Sequence, residues 1–178
     1  MSRVRDAKKR ALLAVATFAF FGIIVGAYTI TNWVIALPLV VFYATLLFNT
    51  YFSVRRFATI TPRENIMQQA IDAVLALLYL ALPFFFIQPQ RFLFITVILF
   101  ATSTAKYVHL TKITDYPTLL WRKIKVNSAG MLGWFLVFAA TFTKYETSLT
   151  IVAVTLFLLA NIYVLWINPL YRLPSTVE

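Results

Sequence analysis

The chain has no cysteine, a single histidine and only six acidic residues among 178, and each scarcity removes a class of chemistry. Without thiols there is no disulfide framework, no thiolate nucleophile and no cysteine-ligated metal. His109 alone cannot supply the paired ligands of a haem or a HExxH zinc site, and it stands beside no nucleophile motif. The carboxylates are Asp6, Glu64, Asp72, Asp115, Glu146 and Glu178. Only Asp72 falls inside a long apolar stretch, so no carboxylate pair or acidic metal cluster is expected. A glycine-rich phosphate loop is also missing. The expectation is a protein that is not an enzyme and carries no cofactor or metal.

What the chain does have is hydrocarbon. Hydrophobic residues make up 61% and charged residues 12%, with a mean hydropathy of +0.82. The apolar residues come in blocks of about twenty, the length that crosses a hydrocarbon core of roughly 30 Å. Spans are predicted at about 11–30, 33–52, 64–86, 92–110, 127–143 and 147–167, which leaves no separate domain outside a single transmembrane unit, 1–178. The predicted fold class is an all-α integral membrane protein: six transmembrane helices arranged as three helical hairpins, with a short amphipathic interfacial helix between helices 4 and 5.

The net charge of +10 would suggest nucleic acid in a soluble protein. Here the basic residues flank apolar spans and act as topology signals instead. Five precede the first span, Arg55, Arg56 and Arg63 lie in the second loop, five more run from Lys106 to Lys125, and Arg172 is in the tail. The opposite side holds only Arg91 and Lys144. This asymmetry predicts both termini in the cytoplasm, a cytoplasmic (inner or cell) membrane location, and no nucleic-acid partner. The first apolar block is too long for a signal peptide and is expected to be a retained anchor. Within it, Gly22 and Gly26 form a small-xxx-small pair that either lets a neighbouring helix come close or reflects how common glycine is in such helices.

The third span opens with Thr61, Pro62 and Glu64, a predicted N-cap, first-turn proline and capping-box glutamate. Asn65, Gln68 or Gln69, and Asp72 then recur at helical spacing and share one face. Asp72 is placed about 9 Å past the membrane entry at 1.5 Å per residue. A charge at that depth costs a few kcal/mol unless it is paired or protonated. Lys106, near the inner end of the fourth span, either snorkels to the headgroups or pairs with Asp72. Asn49, Thr102, Ser103, Asn127 and Asn161 gather toward the same side. Either these groups only bond helix to helix, or they line a polar vestibule open to the cytoplasm.

Two further patterns stand out. Tyr51, Tyr107 and Tyr163 recur at intervals of 56 residues, and Asn49 and Asn161 keep that register. An aromatic belt alone accounts for the tyrosines. Between the fourth and fifth spans, Asp115, Tyr116 and Pro117 mark a helix start, after which Trp121 falls with the apolar residues and Arg122, Lys123 and Lys125 with the basic ones. That segment is expected to lie at anionic headgroups on the cytoplasmic face.

Two functions follow as expectations. One is transport or binding of a small solute or ion at a cytoplasm-facing site, with Asp72 as the ionisable group, Gln68, Gln69 and Asn49 as polar ligands, and Lys106 as counter-ion. The other is a non-catalytic membrane subunit or scaffold that binds lipids, a partner membrane subunit or further copies of itself.

Overall fold

The computed structural model describes residues 2–61, 65–114, 116–143 and 145–171. The sequence signals at Pro62, Arg63, Glu64, Asp115, Lys144 and Arg172 lie outside the described residues. Among the described residues there are no strands and six α-helices: α1 (Ser2–Thr29), α2 (Trp33–Phe57), α3 (Ile66–Ala81), α4 (Pro89–Leu110), α5 (Pro117–Ala140) and α6 (Glu146–Ile162). A 3-10 turn, Leu82–Phe85, extends α3, and a π-helical turn, Tyr163–Ile167, extends α6.

By length and composition, Asp6–Thr29, Trp33–Phe57, Ile66–Phe85, Pro89–Leu110 and Glu146–Ile167 can cross a membrane. The α5 helix is not in that set, and Arg122, Lys123 and Lys125 crowd its first turns. The outer surface carries exposed Leu13, Phe20, Ile23, Leu77, Leu132 and Leu159. So many apolar side chains on the outside of a bundle belong against lipid, and the protein is membrane-embedded.

The helix ends differ from expectation in two places. Asn65, not Thr61, caps α3: its backbone is extended and its Oδ1 accepts from the Gln68 amide at 2.9 Å. The Thr61 hydroxyl is already spent, donating to the Phe57 carbonyl at 2.7 Å where α2 ends. The amphipathic segment between the fourth and fifth spans is not a separate helix. From Pro117 at the first position, α5 runs unbroken to Ala140, because nothing after Lys125 stops it. Gln88, Pro89 and Gln90 likewise turn the chain directly into α4, with Pro89 in the first turn where its missing amide costs least.

The core forms where α2, α4, α5 and α6 meet around Phe42. Its ring lies 5.6 Å from Phe92, 4.5 Å from Trp134 and 4.6 Å from Phe157. The α1 and α3 helices are tied to α2 by Tyr43, whose hydroxyl lies 3.1 Å from the Phe18 carbonyl and 3.2 Å from that of Tyr79. Gly22 makes this approach possible, since a Cβ there would stand 2.8 Å from Tyr43 Cε1; Gly26 faces Phe86. The small-xxx-small pair is therefore a packing device. Packing between sequence neighbours is uneven: α4 lies most broadly on α5, and α6 rests more on α2 than on α5.

Gly130 and Gly133 on α5 offer a test of that asymmetry. A Cβ at Gly130 would sit 2.8 Å from Phe100 Cε1, whereas at Gly133 it would meet nothing within 4 Å. Gly130→Leu should lower stability by about 1–3 kcal/mol through overpacking, while Gly133→Leu should be neutral or gain up to about 1 kcal/mol of helix propensity. Thermal melts of the two variants in the same detergent check the difference.

Candidate functional site

The α3 helix presents Gln68 and Asp72 one turn apart, and α4 presents Lys106 across from them. Lys106 Nζ donates to Asp72 Oδ1 at 2.6 Å, and Gln68 Nε2 donates to Asp72 Oδ2 at 3.1 Å. The carboxylate thus has both a cation and an amide, which is what a charge within an apolar span requires. Asp72 remains 49% exposed and Lys106 16%, so the pair sits at a mouth. Gln68 is buried, and its Oε1 has no hydrogen-bond partner.

Behind the mouth lies a cavity of about 1180 Å³. Arg10, Gln69, Asp72 and Lys106 border it on one side; Phe18, Leu99, Phe100, Trp134 and Phe157 line its apolar interior. Asn49, Gln68, Gln69, Asp72 and Lys106 all reach it. They form two groups. Gln68 and Lys106 both bond to Asp72, whereas Asn49 belongs to a second network farther along the wall.

That second network centres on Lys123, which was expected at the headgroups and is instead only 5% exposed. Its Nζ donates to the Tyr171 hydroxyl at 2.6 Å and lies 3.5 Å from Asn49 Oδ1. The Tyr171 hydroxyl donates to Asn49 Oδ1 at 2.7 Å, and Asn49 Nδ2 donates to Asn161 Oδ1. The ammonium also faces the rings of Tyr171 and Tyr107, 5.1 Å and 5.8 Å from their centres. Burial pushes the Tyr171 phenol well above its ordinary range, so it stays a neutral partner. Among the described residues no carboxylate lies within ion-pair distance of Lys123.

The correction has a helical cause. Leu120, Lys123, Ile124 and Asn127 are all buried, a stripe at spacings of three and four that turns Lys123 inward with its neighbours. Of the other residues expected at the interface, Trp121 and Lys125 point outward. Arg122 is exposed but engaged, with Nη2 donating to Asn168 Oδ1 at 2.6 Å and to the Asn168 carbonyl at 3.0 Å. It holds the chain that follows α6.

Smaller bonds complete the wall. Asn127 Nδ2 donates to Ser103 Oγ at 2.8 Å, Ser53 Oγ meets the Tyr107 hydroxyl at 2.7 Å, and Thr50 Oγ1 meets that of Tyr79 at 2.5 Å. Phe57, Tyr107, Leu110, Leu120 and Ile124 pack together with Tyr171 against them, beside Lys123. The repeated tyrosines do not share a role: Tyr107 is buried, Tyr51 half-buried and Tyr163 exposed. The repeated asparagines are bonded to each other. Among the described residues no three His, Cys, Asp or Glu side chains gather as a metal site would require.

No protein-family model, curated protein or solved structure matches this chain.

Asn49 is the node whose loss should be felt most. Asn49→Leu removes acceptors from Lys123 and Tyr171 and a donor from Asn161, which should cost about 1–3 kcal/mol of stability. Asn49→Asp, still accepting from Lys123 and Tyr171, should cost less. Melting temperatures of the two purified variants rank them, and equal losses would contradict the geometry.

Proposed function

We propose that this protein is a membrane-embedded binding protein, with transport as its activity, whose solute occupies the central cavity. The observation that carries the reading is that the spans' polar side chains, besides bonding helix to helix, line one 1180 Å³ space. In a bilayer such groups must face protein or trapped water, and a space lined by them is where a solute can exchange its hydration. The Asp72–Lys106 pair at the mouth supplies a carboxylate and an ammonium, each able to exchange its partner for a ligand of opposite charge. The orphaned Gln68 Oε1 adds an acceptor for an incoming donor.

In this reading the mouth opens to the cytoplasm, α5 completes a six-span bundle of three helix pairs, and both termini are cytoplasmic. The basic bias of the inner loops supports that orientation. Lys125 and Trp121, outward on α5, are then placed to meet anionic headgroups.

The absence of native cysteine makes the topology directly testable. Ser103→Cys and Ala76→Cys, both lining the cavity, should react with a membrane-impermeant methanethiosulfonate in inside-out vesicles. Val74→Cys, exposed outside the cavity, should not. Reaction only in right-side-out vesicles would overturn the orientation. In proteoliposomes assayed for proton, sodium and potassium flux, Asp72→Asn should abolish the flux while the melting temperature is retained. A wild-type protein with no flux that co-purifies with a stoichiometric partner would favour the scaffold instead.

A further inference from the structure

The cavity has a second chemistry that the Asp72 mouth does not use. Among the described residues, Arg10, Lys106 and Lys123 line it against Asp72, so that lining is net positive, and Lys106 is already neutralised by Asp72. Lys123 is left as a buried amine whose partners, a phenol, an amide and ring faces, are all neutral. A charge in such a place is strongly favoured by an anion beside it.

The space leading away from Lys123 is apolar and opens sideways. Leu136 of α5 and Leu156 of α6 line the cavity, yet they are 67% and 61% exposed. They mark a seam between two helices that pack only lightly together. The seam is edged by Ala129, Gly133, Ala153 and Ala160, and Gly133 borders open space. Ten residues separate Lys123 from Gly133, about 15 Å along the helix, which suits a long acyl chain. At 1180 Å³ the cavity also exceeds the roughly 300–1,000 Å³ of ordinary small-molecule pockets. Phe57, Tyr107 and Tyr171 pack over the inner end, so the seam is the open route to Lys123 for a molecule already in the bilayer.

We propose that the cavity binds an anionic membrane lipid that enters between α5 and α6, with its phosphate on Lys123 and an acyl chain along the apolar wall past Gly133. This rests on the reading of the cavity as a ligand site and adds, at its Lys123 end, a lipid distinct from the solute that the Asp72 mouth would take. The head is recognised by charge; the chain is recognised by the length and dryness of the wall. The Asn49–Tyr171–Asn161 network holds the ammonium in place and supplies no competing negative charge.

The test uses full-length protein in a neutral detergent, offered equal amounts of phosphatidylglycerol and phosphatidylcholine with identical chains and read by native mass spectrometry. Retention of phosphatidylglycerol is expected to exceed that of phosphatidylcholine by about tenfold. Lys123→Met should erase the preference and Lys123→Arg should keep it. Gly133→Trp fills the seam without touching the charged end, and it should reduce retention of both lipids at an unchanged melting temperature. Equal retention of the two lipids by the wild type, a preference that survives Lys123→Met, or undiminished retention in Gly133→Trp overturns the proposal. If Lys123→Met does not fold, Gly133→Trp decides. Inorganic phosphate alone raising the melting temperature as much as phosphatidylglycerol does would assign the site to a soluble anion and also overturn it. Any of these failures leaves the cysteine labelling and ion flux untouched, so the broader reading of the cavity is judged separately.

Discussion

The side-chain amide of Asn49 joins four parts of the molecule. From α2 it reaches Asn161 on α6 through its nitrogen, and Lys123 on α5 and Tyr171 of the tail through its oxygen. An unsatisfied polar group in hydrocarbon is costly, and an amide with both ends occupied fixes the angle and depth of every helix that meets it. The apolar contacts around Phe42 hold the bundle together but are tolerant of register. The Asn49 network is not, and the inner half of the cavity takes its shape from it.

Two levels of the structure were open to reading in the sequence to different degrees. Apolar blocks of span length, the proline start at Pro117, and the pairing open to Asp72 and Lys106 all express local or one-dimensional constraints, and the helices and ion pair correspond to them, whereas α4 begins at Pro89, three residues before the expected span. Lys123 is the exception, buried where its charge predicts exposure. Its charge groups it with Arg122 and Lys125, whereas its position three residues after Leu120 and four before Asn127 puts it on the inward face. The 112-residue separation of Asn49 and Asn161 was visible as a pattern, but that the two bond to each other depends on α6 lying against α2, which no local signal encodes. Likewise Thr61 and Asn65 are both competent caps, and the choice between them rests on which hydroxyl the end of α2 consumes.

The cavity exists because small residues are distributed unequally. Where α1 meets α2, Gly22 brings backbones together and the space is filled by Tyr43. On α5, Gly130 is filled in the same way by Phe100, but Gly133 one turn on is left without a partner. The same residue type thus closes one seam and leaves another open, according to whether an aromatic ring stands opposite. Polar and apolar walls then come from all six helices, with asparagine, serine and lysine toward the Lys123 end and phenylalanine, leucine and tryptophan beyond.

Tyr171 closes the Lys123 network from beyond the last helix, and Arg122 fastens the backbone just before it. In chain order all six helices are therefore made while Lys123 still lacks its phenol and Asn49 its hydroxyl donor. The network around Lys123 is thus closed by the last of its residues to be made, and docking of the segment after α6 completes that wall of the chamber.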